Sequence, residues 1–210
     1  LSMTKAAFNL AFRDGSISSD VEWKRLAPFK NVGSSRKLFL TDKQIATLIK
    51  HTNGGLQKLI QSGVYTGARA GELTSALVRD YDHKSGTLDV DGKTGKRAIY
   101  LSSDGNKHFK EITKNKLPNA LIHTQDDGTA WISNNYNREF RRAVKTGKLP
   151  SETVFYSLRH FHISKALVVG IPAQIIAENC GTSLRMLEKH YAKFMKEDRR
   201  AMMNKVELGI

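Results

Sequence analysis

The chain has 210 residues, 40% of them apolar, and a single cysteine, Cys180. That length suits one full domain with a fragment of another, and the apolar share excludes a disordered chain. Lys and Arg number 34 against 20 Asp and Glu, a formal net charge of +14, which draws polyanions, nucleic acid first.

The cations are spread along the chain rather than set on one amphipathic helix, which argues against an anionic membrane as partner. No apolar run is long enough to span a bilayer, and the opening LSMTKAAFNLAFRDG lacks the basic-then-apolar order of a signal peptide. One cysteine allows no internal disulfide and fits a reducing cytosol, so a cytoplasmic protein is expected.

In chain order, Ala6, Ala7, Leu10 and Ala11 predict a helix over 3–13, ended by Asp14-Gly15. Residues 15–36 show little periodicity and read as a linker. Leu40-Thr41-Asp42 caps a helix whose Ile45, Leu48 and Ile49 share one face, and a second helix covers 56–65. Short alternating runs at 76–81, 87–91 and 97–101, separated by Lys84-Ser85-Gly86 and Gly92-Lys93-Thr94-Gly95, predict a three-stranded antiparallel sheet. Helices return at 106–114, 134–146, 157–169, 173–179 and 184–203, with Pro172 at a helix start and Gly170 and Gly181 at helix ends. The expected fold class is mainly α with a small antiparallel three-stranded β-sheet.

Several residues could carry chemistry. Arg69 follows Gly67 in a turn leading into a helix. Arg159 sits in the first turn of another, with Ser157 as its expected N-cap. The helix dipole disfavours a cation there, so Arg159 calls for an anion: a carboxylate such as Glu72, or a phosphate held bidentately. Either arginine alone is accounted for by a salt bridge. Lys93 lies at a hairpin tip, where lysine is an ordinary turn residue. Tyr191 follows Leu184 and Leu187 at helical spacing and alone is accounted for as a core aromatic. His160 and His162 fall on different faces of a helix, and no zinc spacing, phosphate loop or serine elbow occurs.

Taken together, the blocks YTGARAGEL, DGKTGKRAIYLS, YSLRHFHISKALVVGI and CGTSLRMLEKHYAKF, in that order across 37–194, resemble the tyrosine recombinases, the phage-integrase family. The resemblance implies the catalytic-domain fold of that family over 37–210. It also makes 1–36 the end of an upstream core-binding domain and its linker. It implies that Arg69 and Arg159 are the two catalytic arginines, that Glu72 supports the first, that Lys93 is the general acid for the departing 5′ oxygen, and that Tyr191 is the nucleophile. Tyr156 stands where the family's block usually begins with His, and Thr182 where it usually places His or Trp. Both can still donate a hydrogen bond to the phosphate. The implied reaction is site-specific recombination through a 3′-phosphotyrosine, with double-stranded DNA attachment sites as partner, a homotetramer in the synaptic complex, and no cofactor, metal, membrane or small-molecule substrate. A type IB topoisomerase and a non-catalytic DNA-binding relative are the alternatives. A cluster of cations is expected to lower the pKa of Tyr191. The tail after Tyr191 reads as a charged amphipathic helix that packs either on its own domain or on a neighbouring protomer.

Overall fold

The computed structural model describes residues 2–27, 38–92, 95–196 and 203. It divides into two units, residues 1–37 and 38–210. In the first, α1 (Ser2–Arg13) is followed by a short α2 (Val21–Lys24) inside the stretch expected to be a linker. The cause is Trp23. Its ring lies 5.3 Å from that of Phe8 and meets the edge of Phe12, and its Nε1–H donates to Asn9 Oδ1 at 2.7 Å. One buried aromatic on α1 is enough to order a turn that carries no periodicity of its own.

The second unit opens with α3 (Asp42–Lys50). Thr41 starts it through a capping box: its hydroxyl accepts from Gln44 N–H, and the Gln44 side chain accepts from Thr41 N–H. Such a cap is worth about 1 kcal/mol. Then come α4 (Gly54–Thr66), α5 (Ala70–Ser75), and strands β1 (Tyr81–Asp82), β2 (Thr87–Gly92) and β3 (Gly95–Tyr100). The sheet is antiparallel in the order β1-β2-β3, with Leu88 opposite Ile99 and Val90 opposite Arg97. The remaining helices are α6 (Ser103–Thr113), α7 (Ser133–Thr146), α8 (Tyr156–Val168), α9 (Ala173–Cys180) and α10 (Leu184–Lys196).

The expected first strand, 76–81, shrinks to its last residue and Asp82. Ile122 N–H donates to Ala76 O and Val78 N–H to Ala120 O, so 76–78 runs beside 120–122 instead. Asp80 folds back to accept from Leu77 N–H, and residues 78–80 close a 3₁₀ turn. Alternation identified the apolar face, but a partner far along the chain took the backbone groups. Ser157 is likewise not the N-cap of α8. The helix begins at Tyr156, and the Ser157 hydroxyl accepts from Val154 N–H within the first turn.

Among the described residues two apolar clusters form. The larger holds Leu48, Leu59, Ile60, Leu73, Leu88, Ile99, Phe109, Phe140 and Leu158, joining α3–α7 to the sheet. The smaller holds Ile163, Leu167, Ile176, Cys180, Leu187 and Tyr191, between α8, α9 and α10. Helix α8 is buried nearly all round because it serves both, and that fixes Arg159 and His160 between them. Among the described residues no helix is long and apolar enough to cross a membrane.

Candidate active site

The site is built where three helix ends meet. Helix α4 ends at Gly67, α9 ends at Cys180 and Gly181, and α8 begins at Tyr156. Gly181 closes α9 in the left-handed region, φ 61°, and Thr182 N–H returns to Ala177 O at 2.9 Å. A side chain at Gly181 would be strained by that φ, and its Cβ would stand 2.8 Å from Arg97 Cζ.

Arg159 is 3% exposed. Its Nη1 donates to Gly67 O at 2.9 Å and to Cys180 O, and its Nη2 makes a long 3.4 Å bond to Gly181 O. The carboxylate expected as a possible partner is absent: among the described residues Arg159 makes no ion pair. The C-terminal ends of α4 and α9, each with partial negative charge, stabilise the buried cation in its place. They offset the unfavourable N-terminal end of α8.

Arg69 reaches the same place from the other side. Its Nη2 donates to Gly181 O at 2.9 Å, its Nη1 to Glu72 Oε1 at 2.8 Å, and its backbone N–H to Glu72 Oε2 at 2.8 Å. Glu72 is 3% exposed and also receives both terminal nitrogens of Arg97, at 2.9 and 2.8 Å. Burial alone would raise the Glu72 pKa. The bonds from Arg97 and Arg69 outweigh it and hold the carboxyl down at about 2. Arg97 is in turn fixed by Nε–H to Asn179 O at 3.1 Å.

Lys93 lies outside the described residues. It follows Gly92, which pairs with Gly95, and a Cβ at Gly92 would stand 2.4 Å from Glu72 Oε1. The β2–β3 hairpin therefore runs directly against the carboxylate that holds Arg69. Thr182 is half-buried and adjoins the carbonyl shared by the two arginines. Tyr156 is 50% exposed, with its ring edge-on to His160 at 5.0 Å.

Tyr191 is 4% exposed in the smaller apolar cluster, so the core-aromatic account of its spacing holds for its ring. Its hydroxyl is 2.5 Å from His160 Nδ1. The expected lowering of its pKa is overturned. Burial pushes it well above the usual phenol value, Tyr156 and Cys180 add to the rise, and the Arg159 charge opposes it without prevailing. His160 is pushed below the usual imidazole value by burial, then by His190 and Arg159.

The structure thus brings Arg69, Glu72, Arg159, Thr182, Tyr156 and Tyr191 into one region. It adds Arg97, not singled out from the sequence, and His160, considered there only as a metal ligand. Strand alternation could have found Arg97, which sits on the same face as buried Ile99. An inward arginine needs an acceptor, either a carboxylate or carbonyls at a helix C-terminus. Nothing local signals His160, whose partner comes from α10.

The chain belongs to the phage integrase family, whose model matches residues 38–197. No curated protein matches it significantly. Among solved structures it is similar to the Tn1549 transposon integrase in complex with transposon right-end DNA (TM-score 0.71, 21% identity, covering 96% of this chain and 76% of that one). It is also similar to a lambda integrase dimer bound to a COC′ core site (0.68, 22%, 88% and 71%) and to XerA recombinase (0.62, 15%, 95% and 71%). The fold is that of tyrosine recombinase catalytic domains, mainly helical with a small three-stranded antiparallel sheet.

Proposed function

We propose that this chain is the catalytic part of a site-specific DNA recombinase that cleaves and rejoins double-stranded DNA through a 3′-phosphotyrosine at Tyr191. The observation that carries the reading is the meeting of Arg69 and Arg159 on the Gly181 carbonyl, with Tyr191 tied to the residue after Arg159. A scissile phosphate gathers charge on its non-bridging oxygens as it is attacked. Two guanidinium groups aimed at one basin stabilise that charge more in the transition state than in the ground state.

In this reading Arg69 and Arg159 clamp the phosphate, Glu72 and Arg97 hold Arg69, and Tyr156 and Thr182 donate to the phosphate oxygens. Lys93 protonates the departing 5′ oxygen. The bond energy is kept in the tyrosyl ester, so a 5′ hydroxyl from another strand reverses the step. Family membership and neighbours solved with DNA support DNA as partner. Assembly as a homotetramer on paired sites, action in the cytoplasm, and the origin of residues 1–36 as the end of a core-binding domain before a catalytic domain at 37–210 belong to the same proposal.

The depth of Tyr191 and the non-histidine residues at 156 and 182 favour a second reading, a DNA-binding relative without cleavage. One experiment separates the two. The chain is incubated with a duplex library randomised in sequence, each member carrying a nick that lets the 5′ end diffuse away. Covalent protein–DNA product is recovered under denaturing conditions. An adduct absent from Tyr191→Phe supports recombination; retarded DNA with no adduct supports binding alone.

A further inference from the structure

We propose that His160 is the catalytic base of this site, taking the Tyr191 hydroxyl proton on Nδ1 as the phenol oxygen attacks phosphorus. The inference rests on the phosphotyrosine reading and deepens it by naming the proton acceptor.

The contact is direct. His160 Nδ1 and Tyr191 Oη are 2.5 Å apart, the reach a general base needs in place before reaction. With the ring proton on Nε2, the tautomer that base action requires, the hydroxyl donates and Nδ1 accepts. The ring is held in place. Phe39 packs edge-on at 5.8 Å and Tyr156 edge-on at 5.0 Å, while the His160 and Tyr191 rings tilt at 5.6 Å.

The groups facing the imidazole agree with this role. Among the described residues, from α8 they are Tyr156 and Arg159, from α10 Tyr191 and His190, and from the stretch just before α3 the uncharged Phe39. No carboxylate is among these facing groups to stabilise an imidazolium in advance. Burial, His190 and Arg159 keep the ring neutral at neutral pH, so its lone pair is available. Tyr191 has its proton held tightly by burial and needs an acceptor.

The step balances. The Oη–P bond forms and the P–O5′ bond breaks; the Oη proton moves to Nδ1, and the 5′ oxygen takes a proton from Lys93. On rejoining, the incoming 5′ hydroxyl attacks phosphorus and gives its proton back to the neutral Lys93 amine, the O5′–P bond forms, the Oη–P bond breaks, and the imidazolium returns its proton to Oη.

The test uses the 210-residue chain, a nicked duplex recovered from the randomised library, and the same duplex with sulfur in place of the bridging 5′ oxygen. The thiolate leaves without an acid, so that substrate isolates the attack step. His160→Ala and His160→Asn are compared, since Asn keeps a hydrogen-bonding atom near the Nδ1 position but cannot take a proton; thermal melts confirm that both fold. The expected result is a loss of adduct rate of about a hundredfold or more at neutral pH in both variants. The loss should persist on the sulfur substrate, with DNA retardation unchanged and the deficit shrinking as pH rises. The wild-type rate should fall only below pH 6.5, the ordinary imidazole value. Recovery of the rate by His160→Asn would show a positioning bond and overturn the base assignment. So would equal rates in wild type and His160→Ala, or a faster rate in His160→Ala. A wild-type chain with no adduct at all overturns the parent reading, and this one with it.

Discussion

Arg69 and Arg159, from separate parts of the chain, both donate to the carbonyl oxygen of Gly181. Two cations aimed at one backbone oxygen repel each other. Glu72 offsets the first, and the C-termini of α4 and α9 offset the second.

Removing Arg159 should therefore separate chemistry from binding. Arg159→Ala is expected to lower the rate of adduct formation about a hundredfold to a thousandfold, the cost of losing one preorganised charge donor. DNA affinity should change only a few-fold, because it is shared among many backbone contacts. Single-turnover cleavage and gel retardation on one nicked duplex measure the two. Equal cleavage by wild type and variant would remove Arg159 from the clamp.

Gly181→Ala tests the shared carbonyl itself. At φ 61° an alanine is strained, and its Cβ would stand 2.8 to 2.9 Å from the Arg97 guanidinium. The expected cost is about 1–3 kcal/mol in urea unfolding, the usual range for a non-glycine residue forced into a sparse backbone region. Adduct formation should fall further than that destabilisation accounts for, since the carbonyl that aligns both arginines moves. A variant with wild-type stability would mean that the turn relaxes freely.

The local setting of the arginines, Glu72 and Tyr191, each on a turn or helix, was legible in the sequence, but their grouping came only from the resemblance, since each taken alone is accounted for by a salt bridge or a core aromatic. Arg97 was legible in principle, through its place on the buried side of β3. The His160–Tyr191 contact was not, because it depends on how α10 closes on α8, through Leu187 in the small core and the edge contacts of Phe39. The direction of the Tyr191 pKa failed for a related reason. Cations can be counted in a sequence, but the water removed from one hydroxyl cannot. The lost strand at 76–80 shows a third limit, since alternation gives the face and never the partner.

Acid should loosen the site before the rest of the molecule. Glu72 has its folded-state pKa depressed from 4.5 to about 2. Its contribution is full above the unfolded value and is lost as pH falls from about 4.5 towards 2. A shift of that size corresponds to about 3 kcal/mol. Urea unfolding of wild type and Glu72→Gln should differ most near neutral pH and converge by pH 2. Parallel curves across that window would show that the carboxylate is not held by charge.

Arg97 gives the sharpest test of what holds Arg69. It supplies two bonds to Glu72 and one to the Asn179 carbonyl, and it sits against Gly181. Arg97→Met keeps most of the volume but leaves Glu72 buried with one cation instead of two. Because Arg69 still pairs with Glu72, the cost should fall below the roughly 3–5 kcal/mol of leaving a buried charge with no partner. Adding Glu72→Gln removes the carboxylate that has lost one of its two cations, so the double variant should be less destabilised than the sum of the singles. Urea unfolding of all four proteins gives the coupling. Strict additivity would mean that Arg97 and Glu72 act independently, and the hairpin would then be held against Arg69 by packing alone.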